Sequence, residues 1–438
     1  MYTKTYKSYV LYALLCVYIL NFVDRQILAL LMESIKADLK LSDTELGFMS
    51  GIAFAVFYTF IGIPIARLAD RSHRVNIISI AIAIWSGMTV LSGMAMNFWH
   101  LVIARIGVGV GEAGCTPPAH SLIADYYDKE GRGRAISIYM MGVPLGVLVG
   151  YIVGGWLNET FGWRIAFIAL GLPGLVVALL VKLTIKEPKR VIESAVDRSS
   201  LLSAPVQLPL MQSLIFLLKI KSYRRMVIAM ALIAFVGAGV AQWQASFFIR
   251  NHGMNTTELG VWLALMTGMV GAVGLYLGGY FTERYAKNNE GLQLKILAFS
   301  AFMMVAPGIL SLVVANKTLA LCFVGLHSFF YFIHYGPAFS LLLTLVPANM
   351  RAVASAICLF VVNLIGTGVG PQFVGVFSDI FEARLPVDGL RAAMVTVYIG
   401  IIFSVWNFLL AAKTVSQDIG KSNTASSVNS ALDRKRGS

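Results

Sequence analysis

Charge is scarce in this sequence. Asp, Glu, Lys and Arg make up 13% of its 438 residues, where a soluble chain carries about a quarter. So thin a supply cannot coat a water-facing surface of this size, so most of the surface faces lipid. Cysteine is rarer still: Cys16, Cys115, Cys322 and Cys358 lie apart, each inside an apolar run. With no CxxC pair they indicate neither a disulfide framework nor a metal site, and they read as small packing residues. No G-x-x-x-x-G-K-[ST] loop occurs, which excludes ATP as a driving force and leaves no cofactor to expect. There is no H-E-x-x-H, and no nucleophile elbow in a usable context, so the chain does not read as an enzyme. Gly109–Gly114 mimics a dinucleotide loop, but it sits within an apolar helical run with no strand before it.

What is abundant is apolar sequence: 58% of residues are hydrophobic and the mean hydropathy is +0.75. Runs of about 20 apolar residues, enough to cross a bilayer, are predicted near 8–31, 46–66, 75–96, 99–123, 133–157, 163–183, 223–249, 258–281, 293–315, 318–346, 352–378 and 392–412. In hydrocarbon the backbone must satisfy its own hydrogen bonds, so these runs are helices. The fold class is an all-α, multi-pass integral membrane protein of twelve spans, in the cell (inner) membrane if the source is bacterial. The start, Lys4 and Lys7 before an apolar run, resembles a secretory leader. It has no small-residue cleavage site and continues into Asp24-Arg25, so it reads as the first span.

The net charge of +13 follows from topology. With both termini cytoplasmic, all but nine of the 35 basic residues fall on the cytoplasmic side. The exceptions are Lys36, Lys40, Arg164, Arg250, Lys317, Arg384 and Arg391 on the other side, and Arg25 and Arg105 within the membrane. This is the positive-inside pattern, and no nucleic-acid partner is needed.

Thr184–Arg225 is the longest polar interruption. It predicts a linker over 184–222, with an amphipathic segment around Met211–Ile220, between six-helix bundles at 1–183 and 223–412. Residues 413–438, rich in Ser, Asn and Lys, predict a disordered cytoplasmic tail. The halves are related: ARLADRSHR follows span two, and GGYFTERYAK follows span eight. Glycines crowd both span five (Gly142, Gly146, Gly150, Gly154, Gly155) and span eleven (Gly366, Gly368, Gly370, Gly375). Repeats of this kind build secondary transporters.

These stretches resemble the motifs of the major facilitator superfamily over essentially the whole chain. ARLADRSHR is similar to its G-x-x-x-D-R-x-G-R-R loop, with Ala66 and His73 in place of the two glycines. Arg105-Ile-Gly107-Val-Gly109 resembles its R-x-G-x-G motif, and the glycines of span five its antiporter motif. Within it, NFVDR with RIGVGVGEAG resembles the spinster family, whose eukaryotic relatives move lysophospholipids or sphingosine-1-phosphate. The resemblance implies two bundles around a cavity lined by spans one, four, seven and ten, and alternating access between them. It also implies that Asp70, Arg71 and Arg74 form a latch that pairs with span eleven in one state and releases it in the other.

Asp24 and Arg25 interrupt the apolar run YILNFVDRQILALL, where each charge costs roughly 2.5–3.5 kcal/mol on insertion scales. Arg105 and Glu112, seven apart, share one stripe of span four. The two acids and two bases cancel formally, and such charges persist in membranes when they pair or face water. Arg105 keeps its proton and offers a fork to an anionic headgroup. Asp24 and Glu112 can exchange protons as their arginine partners move, and Asn21 adds a hydrogen-bonding group one turn before Arg25. The alternative is a static ion cluster fixing span one to span four. Gln242, Trp243, Tyr331 and His334 are candidate cavity-wall residues of the other half, aromatic and amphipathic, although ordinary packing explains any one of them, and His334 and His120 read as satisfied interior histidines. The chain is expected to be a monomer that moves an amphipathic anion, lysolipid or sphingoid phosphate, with protons. Small organic anions or drugs, or uncoupled facilitation, are the alternatives. A receptor-like scaffold would not need two related halves.

Overall fold

The computed structural model describes residues 3–188, 210–286, 289–347 and 350–436, and every regular element among them is helical. Most of the predicted 184–222 linker lies outside the described residues. Its amphipathic segment is present as the helix Leu210–Lys219.

Ten helices are long and apolar enough to cross a membrane. One of them, Gly131–Thr184, is 54 residues long and holds spans five and six. The chain reverses between them at Gly162, whose φ of 82° lies in the left-handed region that favours glycine. Span four is not among the ten because its helix stops at Ala113 and restarts at Thr116, whose following residues Pro117 and Pro118 fit a first helical turn. These two details bring ten helices to twelve crossings. Span ten breaks at the corresponding place, Lys317–Ile333 then Tyr335–Thr344, beside Pro337. Spans eight and eleven each contain a π-helical turn, Ala264–Met269 and Asn363–Val369. The last helix runs Ile399–Arg436, through the segment whose composition predicts disorder. Adding residues to an existing helix is far easier than nucleating one, and no proline interrupts this stretch. Its near part is also tied down, since Asp418 accepts from Ser222 N at 2.8 Å.

One apolar core lies within the amino-terminal half around Leu14, Ile78, Trp85, Tyr126 and Tyr139. A second fills the carboxy-terminal half and continues across to Leu31, Ile35, Leu46 and Met49 of the first half. The halves are therefore welded at the end where span one finishes and span two begins. Among the described residues, the hydrogen bonds and ion pairs that join the halves gather at this end. Spans five and eight touch backbone to backbone there: a Cβ on Gly155 would lie 2.3 Å from the Thr256 carbonyl oxygen. Gly155→Ala must push the two helices apart, and overpacking of this kind costs about 1–3 kcal/mol. A lower Tm in detergent is expected, and an unchanged Tm would show that the contact bears no load.

Candidate functional site

The four membrane-embedded charges come together in the amino-terminal half. Asn21 and Asp24 on span one, and Arg105 and Glu112 on span four, are each 1–4% exposed. Arg25 Nε donates to Glu112 Oε2 at 2.6 Å, and this is the one ion pair in the cluster. The Arg25 guanidinium also lies 5.2, 5.4 and 5.0 Å from the ring centroids of Phe22, Phe54 and Tyr58. An aromatic face attracts a cation within about 6 Å, so Arg25 is neutralised on one side and boxed on the others.

Asp24 and Arg105 lie within one another's field without forming an ion pair. Instead Asp24 Oδ2 accepts from Thr89 Oγ1 of span three at 3.1 Å, a hydroxyl shared with the Trp85 carbonyl. Arg105 lies 5.4 Å from the Phe54 centroid, on the ring that Arg25 also faces. Asn21 reaches toward Glu112, and among the described residues Asp24 Oδ1 and Arg105 Nε are buried with no hydrogen-bond partner. Buried polar groups are nearly always satisfied, and each orphan costs about 1–3 kcal/mol. An unpaired acid oxygen and an unpaired guanidinium nitrogen in one cluster mark a place able to engage something besides the fold.

The sequence expectation that each charge holds another's therefore holds for Arg25 with Glu112, while Asp24 turns to a hydroxyl and Arg105 to a ring. Thr89, Phe54 and Tyr58 were not anticipated. Phe54 and Tyr58 are four apart in span two and stacked at 5.4 Å, a spacing legible in sequence but common in any apolar helix.

Of the expected latch, Asp70 and Arg71 close the span-two helix and their side chains lie outside the described residues. Arg74, 2% exposed, is held within its own half: Nε lies 2.7 Å from Glu187, and Nη1 lies 2.6 Å from Asp125 and 2.8 Å from Ser121. In this structure Arg74 makes no pair with span eleven.

The expected cavity wall needs correction at Trp243. It is fully buried and its indole nitrogen donates to the Pro371 carbonyl at 2.9 Å, so it packs span seven against span eleven. Gln242, half-buried, turns its amide to Met32 Sδ at 3.1 Å. Tyr331 packs over Gly237. His334 is buried edge-on to Tyr331 with centroids 5.4 Å apart and interacts with the Tyr331 backbone, while His120 packs edge-on to Tyr139 with centroids 5.4 Å apart. From the carboxy-terminal half Tyr335, 47% exposed at the break in span ten, comes within the fields of Arg25 and Tyr58. Among the described residues no group of His, Cys, Asp and Glu has the spacing to hold a metal.

The profile described as Major Facilitator Superfamily matches residues 14–371. An MFS-type efflux pump of Mycolicibacterium smegmatis is 31% identical over 86% of this chain and 85% of its own. The sphingosine-1-phosphate transporter SPNS2 of Danio rerio is 25% identical over 82% and 74%. A solved bacterial homolog of the human lysosomal transporter Spinster, in an inward-facing and unoccupied conformation, superposes with a TM-score of 0.82. It is 30% identical, and the match covers 95% of this chain and 99% of that one. With its repeated halves, its two broken spans and its buried arginine motif, this chain belongs to the major facilitator superfamily, on the spinster branch, and is an integral membrane transporter.

Proposed function

We propose that the protein moves an amphipathic anion, a lysophospholipid or sphingoid phosphate, by alternating access, and that Asp24 and Glu112 couple the movement to protons. The observation that carries this reading is Arg105. It is buried, it has no carboxylate partner, and its Nε is unpaired, so its fork is free for an oxyanion. Arg25 is already committed to Glu112. The other half offers Tyr335, an exposed aromatic with a polar tip within the field of Arg25, suited to a chain that is charged at one end and greasy at the other. Hydrogen bonds and ion pairs join the halves at the end away from Lys4 and Thr184. With both termini cytoplasmic, an outer end closed in this way fits an inward-facing state. The name of the Danio rerio relative supports a phosphorylated sphingoid cargo.

Uptake of a labelled lysolipid and of a small organic anion into proteoliposomes, with and without a pH gradient, tests this directly. Lysolipid uptake driven by the gradient is expected, and it should become gradient-independent or vanish in Asp24→Asn and Glu112→Gln. Lysolipid transport that ignores the gradient would remove the coupling role of the two carboxylates. Transport of the small anion alone would favour the second reading, a small-anion or drug exporter, which the efflux-pump relative supports.

A further inference from the structure

Two six-residue stretches of the chain are near copies. Ser42-Asp-Thr-Glu-Leu-Gly47 opens span two, and Asn255-Thr-Thr-Glu-Leu-Gly260 opens span eight. Each starts a helix with its own cap: Ser42 accepts from Glu45 N, and Asn255 from Glu258 N. A helix start leaves four amide donors without intrahelical partners, and one cap satisfies one of them.

The next donors go to a carboxylate of the opposite half, in both copies. Asp379 of span eleven accepts from Asp43 N at 3.2 Å through Oδ1, and from Thr44 N at 2.8 Å and Thr44 Oγ1 at 2.6 Å through Oδ2. Glu159 of span five accepts from Thr256 N and Thr256 Oγ1, both at 3.1 Å, through Oε2. Span eleven thus caps span two, and span five caps span eight, across the join between the halves. Negative charge at a helix N-terminus is favourable, so each carboxylate is held by charge as well as by hydrogen bonds.

The copies differ at two positions, the cap itself (Ser42 against Asn255, both acceptors) and the residue after it, Asp43 against Thr256, and the second difference changes the surroundings. Asp43 is surrounded by Arg250, with both contacts at 2.7 Å, by Lys36 at 2.6 Å and by Ser378 at 2.6 Å. Arg250 reaches on to Glu33 at 2.7 Å. Thr256 has neutral neighbours beyond Glu159, namely Asn158 at 3.2 Å and the Gly155 carbonyl at 2.9 Å.

We propose that Asp379 and Glu159 are a matched pair of caps, each supplied by one half to a helix start of the other, and that together they hold this end of the transporter shut. The proposal rests on the alternating-access reading above but on no particular cargo. An amide at either position keeps the side chain's size and one acceptor oxygen and loses the charge. Asp379 uses both oxygens and Glu159 uses one, so the two amide variants are not equivalent.

Nitroxide labels at Ala37 and Val387, both exposed at this end, would report the opening as an interspin distance in nanodiscs, with the four cysteines replaced by alanine. The parent should give one short distance. Asp379→Asn should raise the share of a longer distance about tenfold, the loss of roughly one charge-assisted hydrogen bond. Glu159→Gln should raise it less, and the double variant more than either. Identical distributions in parent and double variant would overturn the proposal, as would a larger effect from Glu159→Gln than from Asp379→Asn. If the double variant is not monodisperse, the two single variants decide: no change in Asp379→Asn is sufficient to reject. These distances do not depend on what is carried, so a failure of the lysolipid assay leaves this result readable.

Discussion

Arg25→Ala is expected to destabilise the folded protein by about 3 kcal/mol, read as loss of monodisperse protein or a fall in Tm in detergent. Removing the guanidinium strands Glu112, whose side chain is 0% exposed and whose other oxygen already lacks a partner. It also empties the space between the rings of Phe22, Phe54 and Tyr58. Breaking a buried pair by deleting one partner usually costs about 3–5 kcal/mol. Arg25 retains 28% exposure, so solvent screening places the effect at the low end of that range. A double-mutant cycle makes the attribution specific. Arg25→Ala combined with Glu112→Gln should recover much of the lost stability, because a neutral amide no longer needs a cation. Equal losses in the single and double variants would assign the effect to the aromatic box instead.

Arg105→Ala is expected to do the reverse, sparing the fold and reducing transport to background. Arg105 makes no direct ion pair, its Nε is unpaired, and it stands over the Phe54 ring within the fields of Asp24 and Glu112. Its removal ends one desolvation cost and leaves Asp24, which can take up a proton, without a nearby free cation, so the loss of Tm should be smaller than in Arg25→Ala. Should the variant fail to fold while Arg25→Ala folds normally, the assignment of roles within the cluster is inverted. Arg105→Lys separates charge from geometry: lysine keeps the positive charge but not the two-pronged donor, and a bidentate oxyanion contact predicts poor rescue.

The helices and their pairing into halves were legible in the sequence because lipid imposes one rule on every span, and hydropathy reports it. The charge cluster was legible for the same reason in negative: Asp24, Arg25, Arg105 and Glu112 stand out against apolar surroundings. Which member faces which was not. The Thr89 hydroxyl that meets Asp24 is 65 residues away in sequence, and threonine in a membrane helix draws no attention. Trp243 was misjudged because a tryptophan beside glutamines looks like a cavity residue, whereas its N–H is spent on the Pro371 carbonyl. The closing contacts were hidden differently. Ser42 and Asn255 are recognisable caps, but the carboxylate that completes the first one, Asp379, lies 335 residues beyond the Thr44 amide it accepts from. Arg250 counted only as one of the few basic residues outside the cytoplasmic set, with nothing local to reveal Asp43 or Glu33 as its partners. Local pattern identifies what a residue needs, and topology alone decides who supplies it.

The wider coil at Asn363–Val369 fixes the register of everything beyond it in span eleven. If the same seven residues wound as an ordinary α-helix, the following stretch would rotate by about 100° around its own axis. Ser378 and Asp379, which now face Asp43 and Thr44, would swing to another side of the helix without any change in their chemistry. The seat that Asp379 finds on span two therefore depends on winding about three turns away, as well as on its own carboxylate.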